Sequence, residues 1–248
     1  MNMDVDRTSR IRPALGGISI GHRDISAGTL GMVVRQNGKR YILSNNHVLA
    51  NINRGMIGDK ILQPGPYDGG TDEDTIATLH EFIRIDTLTN SLCPAASAIA
   101  RAFNFLARLF NRATRLVPVV QAENLVDCAL AKPINDHDVL DVILEAGDVT
   151  GVAEPEVGMA VKKSGRTTGL TSGEIVAVDA IAKVAMNGFD FAVFADQFVI
   201  ELAAEGGDSG SIILTEDNKA VGLLFAGGEG VTIANKYSNV RRALGLEQ

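Results

Sequence analysis

Apolar positions along this chain come mostly in short runs separated by polar, glycine-bearing turns. Residues 28–35 read as a strand, Gln36-Asn37-Gly38-Lys39 as a hairpin turn, and residues 40–43 as the returning strand. An Asn-Gly pair between two such runs is a strong hairpin signal, because the tight turn needs positive φ at both central residues. Further strands are expected at 75–85, 126–131, 160–164, 174–180, 191–193 and 197–202. Two more, 211–214 and 220–225, flank the turn 216–219. Many short strands with frequent turns predict an all-β sandwich or barrel. Residues 1–15 read as an irregular leader.

One segment breaks the pattern. From Pro94 to Leu116, Ile99, Ala102, Phe103, Leu106, Leu109, Phe110 and Ala113 recur at helical spacing. Arg101, Arg108, Arg112 and Arg115 tend to the other positions. The spacing predicts an amphipathic helix of about five to six turns. Its apolar stripe must bury against something. Packing on its own barrel is the first expectation. A contact with a second copy or a partner protein through residues 95–116 comes next. A membrane surface comes last, although basic amphipathic helices also suit that use.

Composition narrows the picture. At 248 residues the chain fits one domain of two barrels, and 26 glycines suit a protein of many turns. There is no Trp, so the core is mostly aliphatic. A net charge of −7 argues against nucleic acid as a partner. Two cysteines, Cys93 and Cys128, are too few for a secreted disulfide framework. The first residues lack a basic region followed by an apolar run, so a cytoplasmic protein is expected. No uninterrupted apolar segment has the length to span a bilayer. His22, His80 and His137 are scattered without metal-ligand spacing, and Asp72-Glu73-Asp74 reads first as a solvated loop, with calcium the less favoured alternative. No cofactor or metal is implied.

Three segments carry candidate chemistry. Gly206-Gly207-Asp208-Ser209-Gly210-Ser211 sets a serine on a tight turn, where the Gly207 and Ser209 amides can point into one small space. Two such donors suit the oxyanion of an acyl-transfer intermediate. His47 follows an apolar strand end and a polar turn, 41–46. Asp127 lies between apolar neighbours, where a carboxylate is costly unless paired. A histidine Nδ1–H is a natural partner, leaving Nε2 to take a serine proton.

The order His, Asp, Ser resembles that of the trypsin-like, chymotrypsin-fold serine proteases. Residues 163–173, with Ser-Gly-Arg-Thr-Thr-Gly at 164–169, resemble the strand that opens the second barrel in the bacterial streptogrisin and α-lytic types. Ser-Asn-Asn-His-Val at 44–48 is also similar to the high-temperature-requirement proteases. Ile-Leu-Gln-Pro-Gly-Pro-Tyr-Asp-Gly-Gly at 61–70 resembles the narrow-leaf-type putative trypsin-like proteases of bacteria and plants. The resemblance runs from about Gly16 to Ala243 and fails over 94–120.

It implies two six-stranded antiparallel β-barrels, with the helix inserted between strands and a second helix at 237–244. The first barrel would take residues 16–145 and the second 146–248. The implied function is a serine endopeptidase acting on polypeptides, with Ser209 as nucleophile, His47 as base and acid, and Asp127 orienting the imidazole. Gly207 and Ser209 would form the oxyanion hole. Arg166 would pair with Asp208 and stiffen the loop. Ala203, Ala204 and Glu205, with Ala226 and Gly227 opposite, would line the specificity pocket. Ala203 takes the place where trypsin carries an acid, which points to small or apolar side chains, with the nearby Glu205 leaving selection of basic ones open. Phe225 is expected either in the pocket wall or in the core. The alternative is a catalytically silent relative that serves as a binding or assembly module.

Overall fold

The structure, a computed structural model, describes residues 5–25, 27–87, 89–90, 93–110, 112, 116, 119–120, 123–187, 190–228 and 230–247. Two rings of antiparallel strands make up most of it. In the first, Ser19–His22, Lys60–Leu62, Thr75–Phe82, Ala129–Pro133, Lys39–Ser44 and Met32–Gln36 pair in that order. Gly28–Thr29, just before Met32–Gln36 in the chain, pairs back onto Ser19–His22 and closes the ring. In the second, Ala160–Gly165, Gly169–Asn187, Asp190–Glu201, Val231–Lys236, Lys219–Gly228 and Ile212–Thr215 follow one another. Ile212–Thr215 then pairs with Ala160–Gly165 to complete it.

Strand alternation sorts the side chains. Ile42 points into the first barrel with Ile18, Ile20, Ile61, Ile76 and Leu79. Its neighbours Tyr41 and Leu43 point the other way, into a seam shared with Ile212, Leu214 and Leu223 of the second barrel. Successive strand side chains face opposite sides, so one strand serves both cores. The helix Tyr237–Leu244 covers this seam with Tyr237, Val240 and Leu244. Gly245, at φ 59°, ends it in the left-handed conformation common after helices. Cys128 is buried in the same seam, while Cys93 is exposed, and the two do not bridge.

The Asn-Gly hairpin forms as its sequence predicts, with Asn37 at φ 52° and Gly38 at φ 72°. Three expectations need correction. Segments 174–180, 191–193 and 197–202 are not separate strands. They belong to one long hairpin of Gly169–Asn187 and Asp190–Glu201. Irregular pairing at 175–182, with Asp179 and Asp196 at positive φ, bends the hairpin without ending it. Such bulges interrupt the apolar alternation that marks a strand in sequence.

The inserted helix spans Pro94–Leu109, shorter than its periodicity predicts. The Asn104 side chain accepts from the Leu116 N–H at 2.7 Å and donates to its carbonyl at 2.9 Å, so the chain returns alongside the helix. Ala113 and Arg115 lie outside the described residues. Packing of the apolar stripe on the barrel is also corrected. Only Ala100 and Ala107 of the helix are buried. Ile99, Phe103, Leu106, Leu109 and Phe110 stay exposed.

Candidate active site

His47 begins from the strand Lys39–Ser44, which runs into a short helical turn, Asn46–Leu49. Val48 and Leu49 are buried and anchor that turn. The Asn46 amide donates to the Ile83 carbonyl at 2.7 Å and to Asn53 Oδ1 at 2.8 Å. His47 Nδ1 stands 2.5 Å from Asp127 Oδ2, and the His47 backbone N–H donates to Asp127 Oδ1 at 3.2 Å. Asp127 has no exposed side-chain surface. Both of its backbone groups are tied down. Its carbonyl accepts from Asn45 Nδ2 at 2.8 Å, and its N–H donates to Asn235 Oδ1 at 2.9 Å. Asn235 Nδ2 in turn donates to Gln197 Oε1 at 2.6 Å, and Gln197 Nε2 donates to the Leu125 carbonyl at 2.9 Å. Asn45 belongs to the first barrel and Asn235 to the second, so both halves position the carboxyl.

Ser209 sits on a loop folded by its own backbone. The Asp208 N–H donates to the Glu205 carbonyl at 3.0 Å, and the Ser211 N–H to the Asp208 carbonyl at 3.0 Å. Gly207 is at φ +102°, and a Cβ there would fall 2.4 Å from Thr167 Oγ1. Glycine is therefore required by both conformation and space. The amides of Gly207 and Ser209 donate to no described residue. The Ser209 hydroxyl likewise makes no hydrogen bond to a described residue, His47 included.

Thr29 joins the loop to the first barrel. Its N–H donates to the Ser209 carbonyl at 2.8 Å, and its hydroxyl donates to the Gly207 carbonyl at 2.8 Å. The same hydroxyl accepts from the Arg166 N–H at 3.0 Å. Next to it, a Cβ on Gly28 would fall 2.5 Å from Val48 Cγ2 and 3.0 Å from the Ser209 carbonyl oxygen. The strand is thus squeezed between the histidine turn and the serine loop.

The expected Arg166–Asp208 pair is not made. Arg166 Nε donates to Asp68 Oδ2 at 2.8 Å, its Nη2 binds Asp68 Oδ1, and its guanidinium lies 5.2 Å from the Tyr67 ring centroid. The hydrogen bond to Asp68 raises the arginine's pKa above its ordinary value. Burial alone would raise the Asp68 carboxyl, but hydrogen bonds from Arg166 and Ser19 outweigh it and hold it below the usual range. Asp208 instead faces Lys163, whose Nζ is 3.6 Å away, and neither side chain has exposed surface. Burial depresses the Lys163 pKa, and Asp208 opposes that shift. Asp208 also accepts from the Thr167 N–H at 2.8 Å, the Thr168 hydroxyl at 2.7 Å and the Glu205 N–H at 3.0 Å. The reason is strand parity. Lys163 shares the inward face of its strand with Val161, whereas Arg166 lies past the strand end and reaches the first barrel.

Two adjoining depressions share Val184, Ala185 and Phe225 as a wall. His47 lines one with Asp24, Ala27 and Ile52. Ser209 lines the other with Ala204, Glu205, Gly206, Ala226 and Gly227. Ala203 is not part of that lining. It is exposed, and its carbonyl accepts from the Thr171 hydroxyl at 3.0 Å. Phe225 serves both roles, since it is 4% exposed and its ring centroid is 4.7 Å from that of Phe194. Thr29, Asn235, Gln197 and Lys163 support the site without standing in any of the three segments that carry candidate chemistry. Lys163 alone carried a signal, as a cation at an inward strand position.

The architecture can be set beside solved structures. Thermobifida fusca protease A superposes with a TM-score of 0.60 at 18% identity, over 94% of this chain and 96% of its own. A Nocardiopsis protease gives 0.61 at 15% identity, over 94% and 97%. This chain has the chymotrypsin fold. A chymotrypsin of Cellulomonas bogoriensis matches similarly, at 0.59 and 19% identity over 94% and 97%. No protein-family model matches the chain, and no curated protein matches it. Within this fold, His47 and Ser209 line adjoining depressions, and Asp127 is held from both barrels.

Proposed function

We propose that this chymotrypsin-fold chain is a serine endopeptidase. Ser209 would attack the substrate carbonyl, giving up its proton to His47 Nε2. Asp127, on Nδ1, would fix the tautomer and stabilise the imidazolium. The oxyanion would accept from the amides of Gly207 and Ser209, which no described residue engages. His47 would then protonate the leaving amine, and water would release the acyl group by the same route in reverse. The observation that carries this reading is the 2.5 Å contact between His47 and a fully buried Asp127, with Ser209 lining the adjoining depression. The similarity to solved serine proteases supports the same reaction class.

The alternative, a silent binding module, has one observation in its favour: the Ser209 hydroxyl does not reach His47. Hydrogen bonds of this kind often tighten only with substrate bound. A fluorophosphonate probe separates the two. Labelling of Ser209 in the wild type, lost in His47→Ala, is the expected result. An unlabelled native protein would leave the binding-module reading standing.

The depression beside Ser209 is walled by small and apolar residues and carries one exposed carboxylate, Glu205. We infer a preference for small apolar side chains. Peptide substrates ending in Ala or Val are expected to turn over faster than those ending in Arg. The reverse order would assign Glu205 the selecting role.

A further inference from the structure

The helix Pro94–Leu109 presents an apolar face that the fold leaves open. Ile99, Phe103, Leu106 and Phe110 are 44–70% exposed. At 100° per residue, Ile99, Phe103, Leu106 and Phe110 fall within a sector of about 60°. Arg101 and Arg108 project from the opposite side, and neither forms an ion pair with a described residue. No Asp or Glu occurs between Asp86 and Glu123. The helix is therefore purely cationic along its polar face, on a chain whose net charge is −7.

We propose that this helix docks on an anionic lipid surface, lying in the plane of the interface. Its aromatic and aliphatic face would enter the acyl boundary, and its arginines would reach phosphate groups by extending their aliphatic stems. The acidic body is repelled by the same surface, so the attraction is local and turns the barrels outward.

A second copy suits the face less well. A helix of 16 residues is about 24 Å long and about 10 Å wide. Pairing two such faces buries far less than the roughly 800 Å² per partner of a stable interface. It would also bring two all-cationic helices together without a carboxylate between them.

Vesicle sedimentation with the full-length protein tests the proposal, independently of the chemistry at Ser209. The expected result is binding to vesicles of equal phosphatidylcholine and phosphatidylglycerol, weakened by salt, with little binding to phosphatidylcholine alone. Each arginine near an anionic surface contributes about fivefold in affinity, so Arg101→Gln with Arg108→Gln should weaken binding about twenty-five-fold. Phe103→Ser with Leu106→Ser should abolish it, with an unchanged circular dichroism spectrum and unchanged probe labelling, because both positions are exposed. Absence of binding to the mixed vesicles would overturn the proposal. So would equal binding to both vesicle types that ignores the arginine changes. A lipid-free dimer that dissociates in the Phe103→Ser, Leu106→Ser variant would overturn it too, and would assign the face to a second copy.

Discussion

Asp127 has no exposed side-chain surface, and its partners come from both barrels. Asp127→Asn keeps the shape but no longer favours the tautomer in which Nε2 accepts the serine proton. Turnover is expected to fall about 10⁴-fold with little change in the unfolding midpoint. Peptide hydrolysis and urea unfolding check the two halves of that statement. Lys163 and Asp208 pose a different problem. Removing one partner of a buried pair strands the other, at a cost of about 3–5 kcal/mol. Lys163→Met should lose about that much in urea unfolding. A negligible loss would show that Asp208 does not depend on Lys163. Cys128 is fully buried, and its thiol is pushed well up, first by burial and then by the charge of Asp127. A thiol reagent should therefore modify Cys93 in the native protein, and Cys128 only after unfolding.

At the scale of elements, the serine loop depends on a strand of the other barrel. Thr29 ties down the carbonyls of Gly207 and Ser209, the two residues whose amides are assigned to the oxyanion. Thr29→Val keeps the volume and removes the hydroxyl. The loss of one positioning hydrogen bond of about 1.4 kcal/mol corresponds to about tenfold in rate. The expected signature is a lower kcat with KM nearly unchanged, because the loop's alignment would change while the pocket wall stays. A rise in KM alone would place Thr29 in binding and refute the clamp.

Across the whole molecule, the Asp68–Arg166 ion pair spans the two barrels beside the serine loop. The folded-state pKa of Asp68 is depressed below its ordinary 3.8. Its contribution to stability is therefore complete above that value and is lost as the pH falls through the lower, folded-state pKa. Asp68→Asn should be less stable than wild type near neutrality, and the gap should close below about pH 3.8. Unfolding midpoints measured from pH 7 down to the acid limit would read it. A gap that persists at the lowest pH would show that the carboxylate charge is not the source.

Local rules made much of this molecule legible. The Asn37-Gly38 turn and most of the strands follow from backbone preferences and the alternation of apolar positions, while the terminal helix was implied by the resemblance. Asp127 stood out as a carboxylate between apolar neighbours, and His47 and Ser209 through the strand-end and glycine-turn settings and an order that resembles the trypsin-like proteases. Pairings between distant segments were not legible, since parity and reach decide them only once the strands are in register. The resemblance implied Arg166 for Asp208, but the inward face of the strand belongs to Lys163. The supports from Thr29, Asn235 and Gln197 exist only because closing two barrels brings unrelated polar side chains to the same buried carbonyls and amides. The helix shows the complement. Its amphipathic pattern was set by its residues, and only the tertiary structure decided that the apolar side would be left facing outward.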